Sequence, residues 1–352
     1  MGDDSMDERI TRTVQLDATR CVAEAHEAPQ EMLTVDDARA KVAATISCAP
    51  EEVYFVSDGM PAAVVALRAA YKGSGVVSPH IVTTTIEAEA NRAQCALFEQ
   101  KDTTVTYLSP ISTGRVEVAM IENALRPETR LISITAANPE TGTSEPFSGI
   151  GALASQRDIP FHLDASYAFG RMPIDVNRSH IDLLSADADL FGGPAGTGFL
   201  YVRHGRGIET YVEETLPDDE VLTRLAHAAE SAAQGAARFM EQVKPVRDHL
   251  RQRIFDEIAD VTLCGHRDHC LAGHLEVRIA GVSAAVLQQG MAEAGFSIGI
   301  GDGSPVLRAL GKPESMASEV VRFSLTAQTT REDVDQAVDA LKELVEGQRI
   351  VG

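Results

Sequence analysis

The sequence predicts an α/β protein with a mostly parallel sheet covered by helices on both faces, followed by a smaller α+β unit. Short apolar runs alternate with helical patterns of about ten residues or more across residues 51–170, which is typical of a parallel sheet. Two further apolar runs lie within residues 181–205. The alternation gives way to a long helical segment from Asp218 onward, which indicates a second unit.

Each element of the large unit follows from a local pattern. Residues 35–49 have apolar residues at helical spacing after Thr34, a residue type that caps helices. Pro61 near the first turn and Gly73 at the end bound a helix within residues 58–73. The other helices are predicted over residues 86–101, 120–129 and 149–158. The strands are predicted over residues 51–57, 79–85, 103–110, 130–138 and 160–170, with two more within 181–205.

The predicted domain organisation has three parts. Residues 1–12 are acidic and are expected to be a disordered N-terminus. Residues 13–217 form the large α/β domain, and residues 218–352 form a helical connection and a small α+β domain. The helical connection is expected to break near Pro245, because the residue before a proline disfavours the helical conformation.

Composition excludes several classes of function. The net charge of −21 and the pI of about 4.8 argue against binding to nucleic acid or to anionic membranes. No apolar run reaches the length of a membrane span, and no secretory signal precedes the first domain. The five cysteines are too few and too scattered for a disulfide framework, so we expect a cytoplasmic protein. They are Cys21, Cys48, Cys95, Cys264 and Cys270.

Several segments, in order, resemble the cysteine desulfurase branch of the class V aminotransferases, which are fold-type-I pyridoxal-phosphate (PLP) enzymes. The segments are "VQLDATRC", "VYFVSDGMPAAVVAL", "LISITAANPETGTSEPFSGIGALASQRDIPFHLDASYAFGRMPIDV", "GGPAGTGFLYVRHG" and "VVRFSLTAQTTREDVDQAV". The resemblance implies the PLP-transferase fold of type I, with a seven-stranded type of sheet and a smaller C-terminal domain. It also implies a homodimer with a cofactor site at the subunit interface.

The residue that binds the cofactor covalently in this family is missing. The family places a histidine and then a lysine shortly before a Gly-Pro pair, and counting back from Pro194 puts Asp189 and Leu190 at these positions. The chain has no lysine between Lys101 and Lys244, so no shift of the alignment supplies one. A PLP aldimine requires a lysine amine, and we therefore expect no covalently bound cofactor.

The rest of the former cofactor pocket is partly retained. The threonine that binds the cofactor phosphate falls at Met60, and the histidine that stacks on the ring falls at Ala88. Asp164 matches the carboxylate that pairs with the pyridine nitrogen, although an aspartate at a strand end can serve structure alone. The positions of the former cofactor pocket are Met60, Asn138, Asp164, Tyr167 and Asp187.

Two further groups could bind ligands in this pocket. Arg322 matches the arginine that binds the substrate carboxylate, or it pairs with an acidic neighbour. Asp187 and Asp189 could share one strand face and form a paired-carboxylate site, or they are solvated loop acids. The loop at residues 298–305 is shorter than in the family and lacks the cysteine that accepts sulfur.

A short segment, "CGHRDHCLAGH", is rich in residues that ligate metals. Thiolate and imidazole groups at such short spacing suit zinc, iron or copper, although the spacing matches no standard zinc motif. The alternative is a polar surface loop whose side chains point apart. The candidate ligands are Cys264, His266, His269, Cys270 and His274.

Three hypotheses of function follow. In the first, the chain is a pseudoenzyme, alone as a homodimer or as a partner of an active paralogue or pathway enzyme in sulfur-related or other biosynthesis. In the second, it is a repurposed enzyme that uses the former pocket or a metal bound by the Cys/His loop. In the third, it binds PLP, an amino acid or another small molecule noncovalently. The combined loss of the lysine, the phosphate-binding threonine and the cysteine loop favours the first.

Overall fold

The computed structural model describes residues 14–15, 31–301 and 303–351, so the predicted disordered segment 1–12 and Cys21 lie outside the described residues. The helices are α1 Val35–Ile46, α2 Ala62–Gly73, α3 Glu89–Glu99, α4 Val118–Ala124, α5 Phe147–Gln156, α6 Asp219–Glu257, α7 Ala284–Glu293, α8 Pro305–Ala309, α9 Glu314–Ala317 and α10 Arg331–Val351. The strands are β1 Val14–Gln15, β2 Val53–Val56, β3 His80–Thr84, β4 Thr104–Leu108, β5 Thr129–Thr135, β6 Phe161–Asp164, β7 Leu183–Asp187, β8 Gly198–Val202, β9 Val261–Leu263, β10 His274–Ile279, β11 Phe296–Ser297, β12 Gly299–Ile300 and β13 Val320–Ser324.

A seven-stranded sheet in the order β2-β8-β7-β6-β5-β3-β4 forms the centre of the molecule. Neighbouring strands from β7 to β4 run parallel, and β8 pairs antiparallel with both β2 and β7, so β8 alone is reversed. Buried apolar side chains from the strands and their covering helices fill the two faces. The predicted α/β class and seven-stranded, mostly parallel sheet are confirmed.

The C-terminal part has its own antiparallel sheet, in the order β12-β13-β10-β9, packed with α6, α7 and α10 around a separate apolar core. A parallel pairing of β1 with β11 connects Val14 to Phe296 and so joins the beginning of the described chain to this part. None of the helices in the described ranges combines the length and apolar content that a membrane span requires.

The predicted break at Pro245 is wrong, because this proline lies inside α6, a continuous helix of 39 residues. A proline inside a helix removes one N–H donor and crowds the carbonyl one turn earlier, which is unfavourable for the helix by about 3 kcal/mol. Buried side chains on both sides of the proline offset this cost, with Val243 before it and Arg247 and Leu250 after it. Tertiary packing therefore overrides the local preference.

Candidate functional site

A cavity of about 370 Å³ lies at the carboxyl edge of the seven-stranded sheet. It is lined by the segments that follow β2, β3, β5, β6 and β7, and Pro305 and Val306 of α8 close it from the C-terminal part. Ligands of open α/β sheets bind beyond the carboxyl ends of parallel strands, so this is the expected position of a site. Its volume suits a small organic molecule.

Leu190, which the resemblance puts at the position of the family lysine, lines this cavity. After β7 the chain makes a short 3-10 turn, Ala188–Leu190, and Leu190 lines the cavity from that turn. Among the described residues that line the cavity there is no lysine. Four of the six lysines form ion pairs elsewhere, such as Lys41 with Glu230 and Lys72 with Glu213. The structure thus offers no amine from another part of the fold to replace the missing one.

The N-terminus of α2 is occupied by a carboxylate of the chain itself. Oδ1 of Asp187 accepts a hydrogen bond of 2.9 Å from the backbone N–H of Ala62, the first residue of the helix. A helix N-terminus is the usual seat of a phosphate, because its free N–H groups and the helix dipole attract anions. Here the carboxyl group of Asp187 takes that position, so the N–H of Ala62 is not free to bind a phosphate.

Met60 does not form part of the cavity wall, which corrects its place in the predicted pocket. Its Sδ accepts a hydrogen bond of 3.3 Å from Nη1 of Arg68, and its backbone N–H donates to Oδ1 of Asp58 at 3.1 Å. Pro61 and Ala63 line the cavity instead. The side chain therefore packs along α2 and offers no contact to a cofactor.

Asp164 and Asn138 both lie in the predicted pocket, but both have full structural roles. Oδ2 of Asp164 accepts from Nδ2 of Asn91 at 2.9 Å, and Oδ1 accepts from the backbone N–H of Ser166 at 3.0 Å. Oδ1 of Asn138 accepts from the backbone N–H groups of Glu140 and Thr141, at 2.9 and 3.0 Å. Asn138 thus shapes the loop after β5, and Asp164 ties β6 to the start of α3.

Tyr167 also lines the cavity, as predicted for the pocket. Its ring lies under the guanidinium of Arg171, whose central carbon is 4.4 Å from the ring centroid. Nη1 of Arg171 also donates to the backbone carbonyl of Tyr167 at 2.8 Å. These contacts hold the tyrosine at the wall through a cation–π interaction.

Three carboxyl groups of the cavity wall, those of Glu87, Asp187 and Glu140, have raised pKa values. Burial raises the pKa of Glu87 from 4.5 to about 8, and the negative charge of Asp164 adds to the shift against the hydrogen bond from Thr84. Burial and the charge of Asp164 also raise the pKa of Asp187, to about 7. The charge of Asp189 also raises the pKa of Asp187. Asp189 lies in the 3-10 turn after β7 and, contrary to the prediction, does not share a strand face with Asp187.

Arg322 lies on β13, directly opposite Glu276 of β10 in the antiparallel register. Its positive charge lowers the pKa of Glu276 and of Glu140, although burial dominates and leaves both pKa values raised. Of the three, Glu140 lines the cavity. The predicted substrate-binding arginine thus acts on the cavity electrostatically, from the C-terminal sheet.

The Cys/His segment does not form the predicted metal site, because its side chains point apart. Cys264 is buried in a small apolar cluster, and Sγ of Cys270 accepts from Nη1 of Arg247 at 2.7 Å. Nε2 of His274 donates to the carbonyl of Glu140 at 2.5 Å, on the far side of the loop. His266 and His269 stay close together, with ring centroids 4.7 Å apart. Across the described ranges, no three His, Cys, Asp or Glu side chains are placed to hold a metal ion.

Sequence reasoning missed the segment after β3. It assigned the start of the helix to residue 86, whereas residues 85–88 form a turn and α3 begins at Glu89. This turn brings Glu87, Asn91 and Arg92 to the cavity. A possible signal was the end of the β-branched run at Thr85, because the carboxyl end of each parallel strand is a candidate wall of the site.

The residues present do not fit PLP. Leu190 cannot bind it covalently, Asp187 holds the helix N-terminus that would receive its phosphate, and Ala88 cannot stack on a ring as an imidazole does. Glu87 and Asp164 add further acidic groups to the same cavity. A phosphate ester needs hydrogen-bond donors, and carboxyl groups occupy this part of the cavity instead.

Comparisons with known proteins agree with this architecture. A family model described as aminotransferase class-V matches residues 13–209. The cysteine desulfurase IscS of Tolumonas auensis is 33% identical, over 88% of this chain and 81% of the relative. The mitochondrial cysteine desulfurase of Arabidopsis thaliana is 31% identical, over 89% and 73%.

Solved structures give the same result. DndA from Streptomyces lividans is 27% identical with a TM-score of 0.71, over 83% of this chain and 87% of that one. A structure described as SspA in complex with cysteine is 25% identical with a TM-score of 0.72, over 90% and 100%. A NifS-like protein, 22% identical, has a TM-score of 0.81 over 95% and 100% and shows the shared fold.

Proposed function

This chain belongs to the aminotransferase class-V family and is homologous to cysteine desulfurases, and on that premise we propose that it is a non-catalytic member that works without PLP. The observation that carries the proposal is Leu190, which lines the cavity at the position of the family lysine. A cofactor that must form a Schiff base has no amine to react with there. Asp187 at the N-terminus of α2 supports the same conclusion for noncovalent binding through the phosphate.

We further propose that the chain acts through assembly, as a homodimer or with an active, lysine-containing paralogue or pathway enzyme of sulfur-related biosynthesis. The conserved architecture supports this role, since the desulfurase fold extends over 95% of the chain in its structural relatives while the lysine is absent. The acidic charge and the sparse cysteines support a cytoplasmic location.

The test of the first proposal is a direct search for cofactor chemistry. The purified full chain is mixed with excess PLP, reduced with borohydride and examined by mass spectrometry, and sulfide release from L-cysteine is measured in parallel. We expect only sparse, scattered labelling of exposed lysines and no sulfide, whereas the Tolumonas auensis enzyme treated identically serves as the positive control. Incorporation concentrated on one lysine to the level of that control, or sulfide release that depends on PLP, overturns the proposal. Retention of PLP through dialysis without reduction contradicts the assignment of Asp187 as a block.

Two variants separate the role of Leu190 from that of Asp187. Leu190→Lys restores the amine but leaves the carboxylate at Ala62, and we expect little pyridoxyl incorporation. Leu190→Lys combined with Asp187→Ser frees the N–H of Ala62, and we expect incorporation to rise at least about tenfold over the single variant, as removal of one buried charge repulsion allows. Equal incorporation in both variants would show that Asp187 does not block phosphate binding at the N-terminus of α2.

The test of assembly uses co-expression. A tagged chain is produced together with a lysine-containing desulfurase from the same source, and the purified complex is sized by light scattering. We expect a heteromer whose sulfide release differs from that of the active enzyme alone. If the chain is recovered only as a homodimer or monomer and leaves the active enzyme unchanged, the heteromeric partner role is wrong. A monomer also contradicts the homodimer.

A further inference from the structure

The cavity wall carries two buried oxygen atoms that have no hydrogen-bond partner, and the one on Glu87 accepts a hydrogen bond only when its carboxyl group is ionised. Oδ1 of Asn91 is unpartnered in a residue that is 3% exposed, and Oε2 of Glu87 is unpartnered in a residue that is 5% exposed. Both residues line the cavity. A buried polar atom without a hydrogen bond costs about 1–3 kcal/mol, so these two acceptors indicate a donor that a ligand supplies.

The orientation of the Asn91 amide follows from its neighbour. Its Nδ2 donates to Oδ2 of Asp164 at 2.9 Å, and an ionised carboxylate can only accept, so the amide nitrogen must face Asp164. The amide oxygen is left on the other side. Asp187 adds a third acceptor group to the same wall, because only its Oδ1 is used by Ala62.

A ligand for this wall must be rich in donors and positively charged. A protonated primary amine has three N–H donors and no acceptor, which matches an amide oxygen and two carboxyl groups. The apolar wall residues Ile86, Leu190 and Val306 can contact its hydrocarbon part. A bare metal ion fits poorly, since the described side chains form no group of three metal ligands and the cavity measures about 370 Å³.

We propose that this cavity binds a small organic cation, a primary alkylammonium compound, with its ammonium group on Glu87, Asn91 and Asp187. The former anion-binding pocket has thereby become a cation-binding one. Arg92 and Glu140 also line this cavity. The positive charge of Arg92 lowers the pKa of Glu140, so the charges of these two side chains offset each other. The inference rests on the proposed function only in that PLP does not occupy the same space.

Ligand-observed NMR tests the proposal on the full chain. The probes are butylamine, its uncharged analogue butanol, its anionic analogue butyrate, inorganic phosphate and magnesium chloride. We expect transfer of saturation and a rise in melting temperature with butylamine alone. Binding of butyrate or phosphate in preference to butylamine overturns the proposal, and so does stabilisation by magnesium without butylamine. Tighter binding of L-alanine than of butylamine also overturns it, because Arg92 would then be selecting a carboxylate.

Matched variants locate the bound amine. Glu87→Gln keeps the shape of the side chain and its contact with Thr84 but removes the negative charge. We expect its affinity for butylamine to fall about tenfold, as the loss of one charge-assisted hydrogen bond implies. Glu241→Gln, an exposed site on α6, should leave the affinity unchanged. If both variants bind equally well, the amine lies elsewhere, and Asp187→Asn repeats the comparison should Glu87→Gln not fold.

Proton release gives an independent measurement. The charged groups that face Glu87 are Asp164 of β6 and Glu145 after β5, and those that face Asp187 are Asp164 and Asp189. All are acidic, so at pH 7 the empty wall retains protons that an ammonium ion would displace. Calorimetry in buffers of different ionisation enthalpy should detect this release, and Glu87→Gln should reduce it. Binding without proton release contradicts the assignment.

The outcomes distinguish the two proposals. If butylamine fails to bind and PLP also fails to bind, the cation site is wrong and the non-catalytic role stands. If PLP binds or reacts, the proposed function is wrong, and competition between PLP and butylamine then shows whether the cation site is wrong as well.

Discussion

At the scale of single residues, the cavity wall carries a deeply buried carboxyl group, that of Glu87. Glu87 is 5% exposed, and it accepts a hydrogen bond of 2.5 Å from the Thr84 hydroxyl. Oxygen atoms at this depth favour the neutral acid over the carboxylate, since desolvation disfavours charge. The protonation of Glu87 therefore affects both the ligand that the cavity can bind and the stability of the folded chain.

The stability of the folded chain should depend on pH through Glu87. Its pKa rises from 4.5 in the unfolded chain to about 8 in the folded one, so the folded state retains a proton that the unfolded state loses. The stabilisation is complete below pH 4.5 and is lost as pH rises to about 8, by an amount on the order of a few kcal/mol. Urea unfolding at several pH values measures this decline.

The matched variant isolates the residue. Glu87→Gln cannot titrate, so its free energy of unfolding should fall less steeply between pH 5 and pH 8, roughly the range over which a single shifted carboxyl acts. Glu241→Gln, which removes an exposed acid, should retain the slope of the original chain. Parallel curves for the Glu87→Gln variant and the original chain would show that Glu87 does not hold the proton.

At the scale of elements, a helix packs closely against a neighbouring loop where glycine leaves room. Gly151 of α5 faces the loop before β7, and a Cβ at this position would lie 1.9 Å from the carbonyl oxygen of Ser179. Gly235 of α6 is also inside a helix, but a Cβ there meets no atom within 4 Å. Gly151 thus permits close packing of α5, whereas Gly235 only lowers the helix propensity of α6.

The two glycines should respond in opposite directions to the same substitution. Gly151→Ala forces the backbone of the facing loop to move, and we expect the free energy of unfolding to fall by about 3 kcal/mol. Gly235→Ala should raise it by up to about 1 kcal/mol, because alanine is the better helix former. Chemical denaturation of both variants measures the effect. Similar destabilisation of the two would show that helix propensity, rather than the Ser179 contact, decides the result.

At the scale of the whole molecule, much of the architecture was predictable from the sequence because its segments match the family in order. The alternation of strands and helices predicts the parallel sheet, and its carboxyl edge predicts where the cavity lies. Leu190, which counting back from Pro194 puts at the position of the family lysine, lies in the cavity wall, and its match to that lysine stays a prediction. Local sequence patterns are enough to predict the structure where residues pack against residues of the same or the adjacent strand–helix unit.

Local patterns fail where distant parts of the chain meet. The contact of Asp187 with Ala62 spans 125 residues and depends on the tertiary fold. Spacing in the Cys/His segment allowed convergence, but Arg247 of α6 and Glu140 of the opposite loop take Cys270 and His274 in different directions. The continuous course of α6 through Pro245 depends in the same way on cores that flank it. Each of these outcomes depends on packing partners that are distant in the sequence and that the adjacent residues do not indicate.

The hydrogen bond between Asp187 and Ala62 bears on how relatives of this chain are sorted. A single reversion at residue 190 would restore an amine but leave the phosphate seat filled, so return to the ancestral chemistry needs at least two coordinated substitutions. If the proposed function is right, an acid at the end of β7 together with a residue other than lysine at position 190 identifies relatives that have lost both the Schiff base and the phosphate contact.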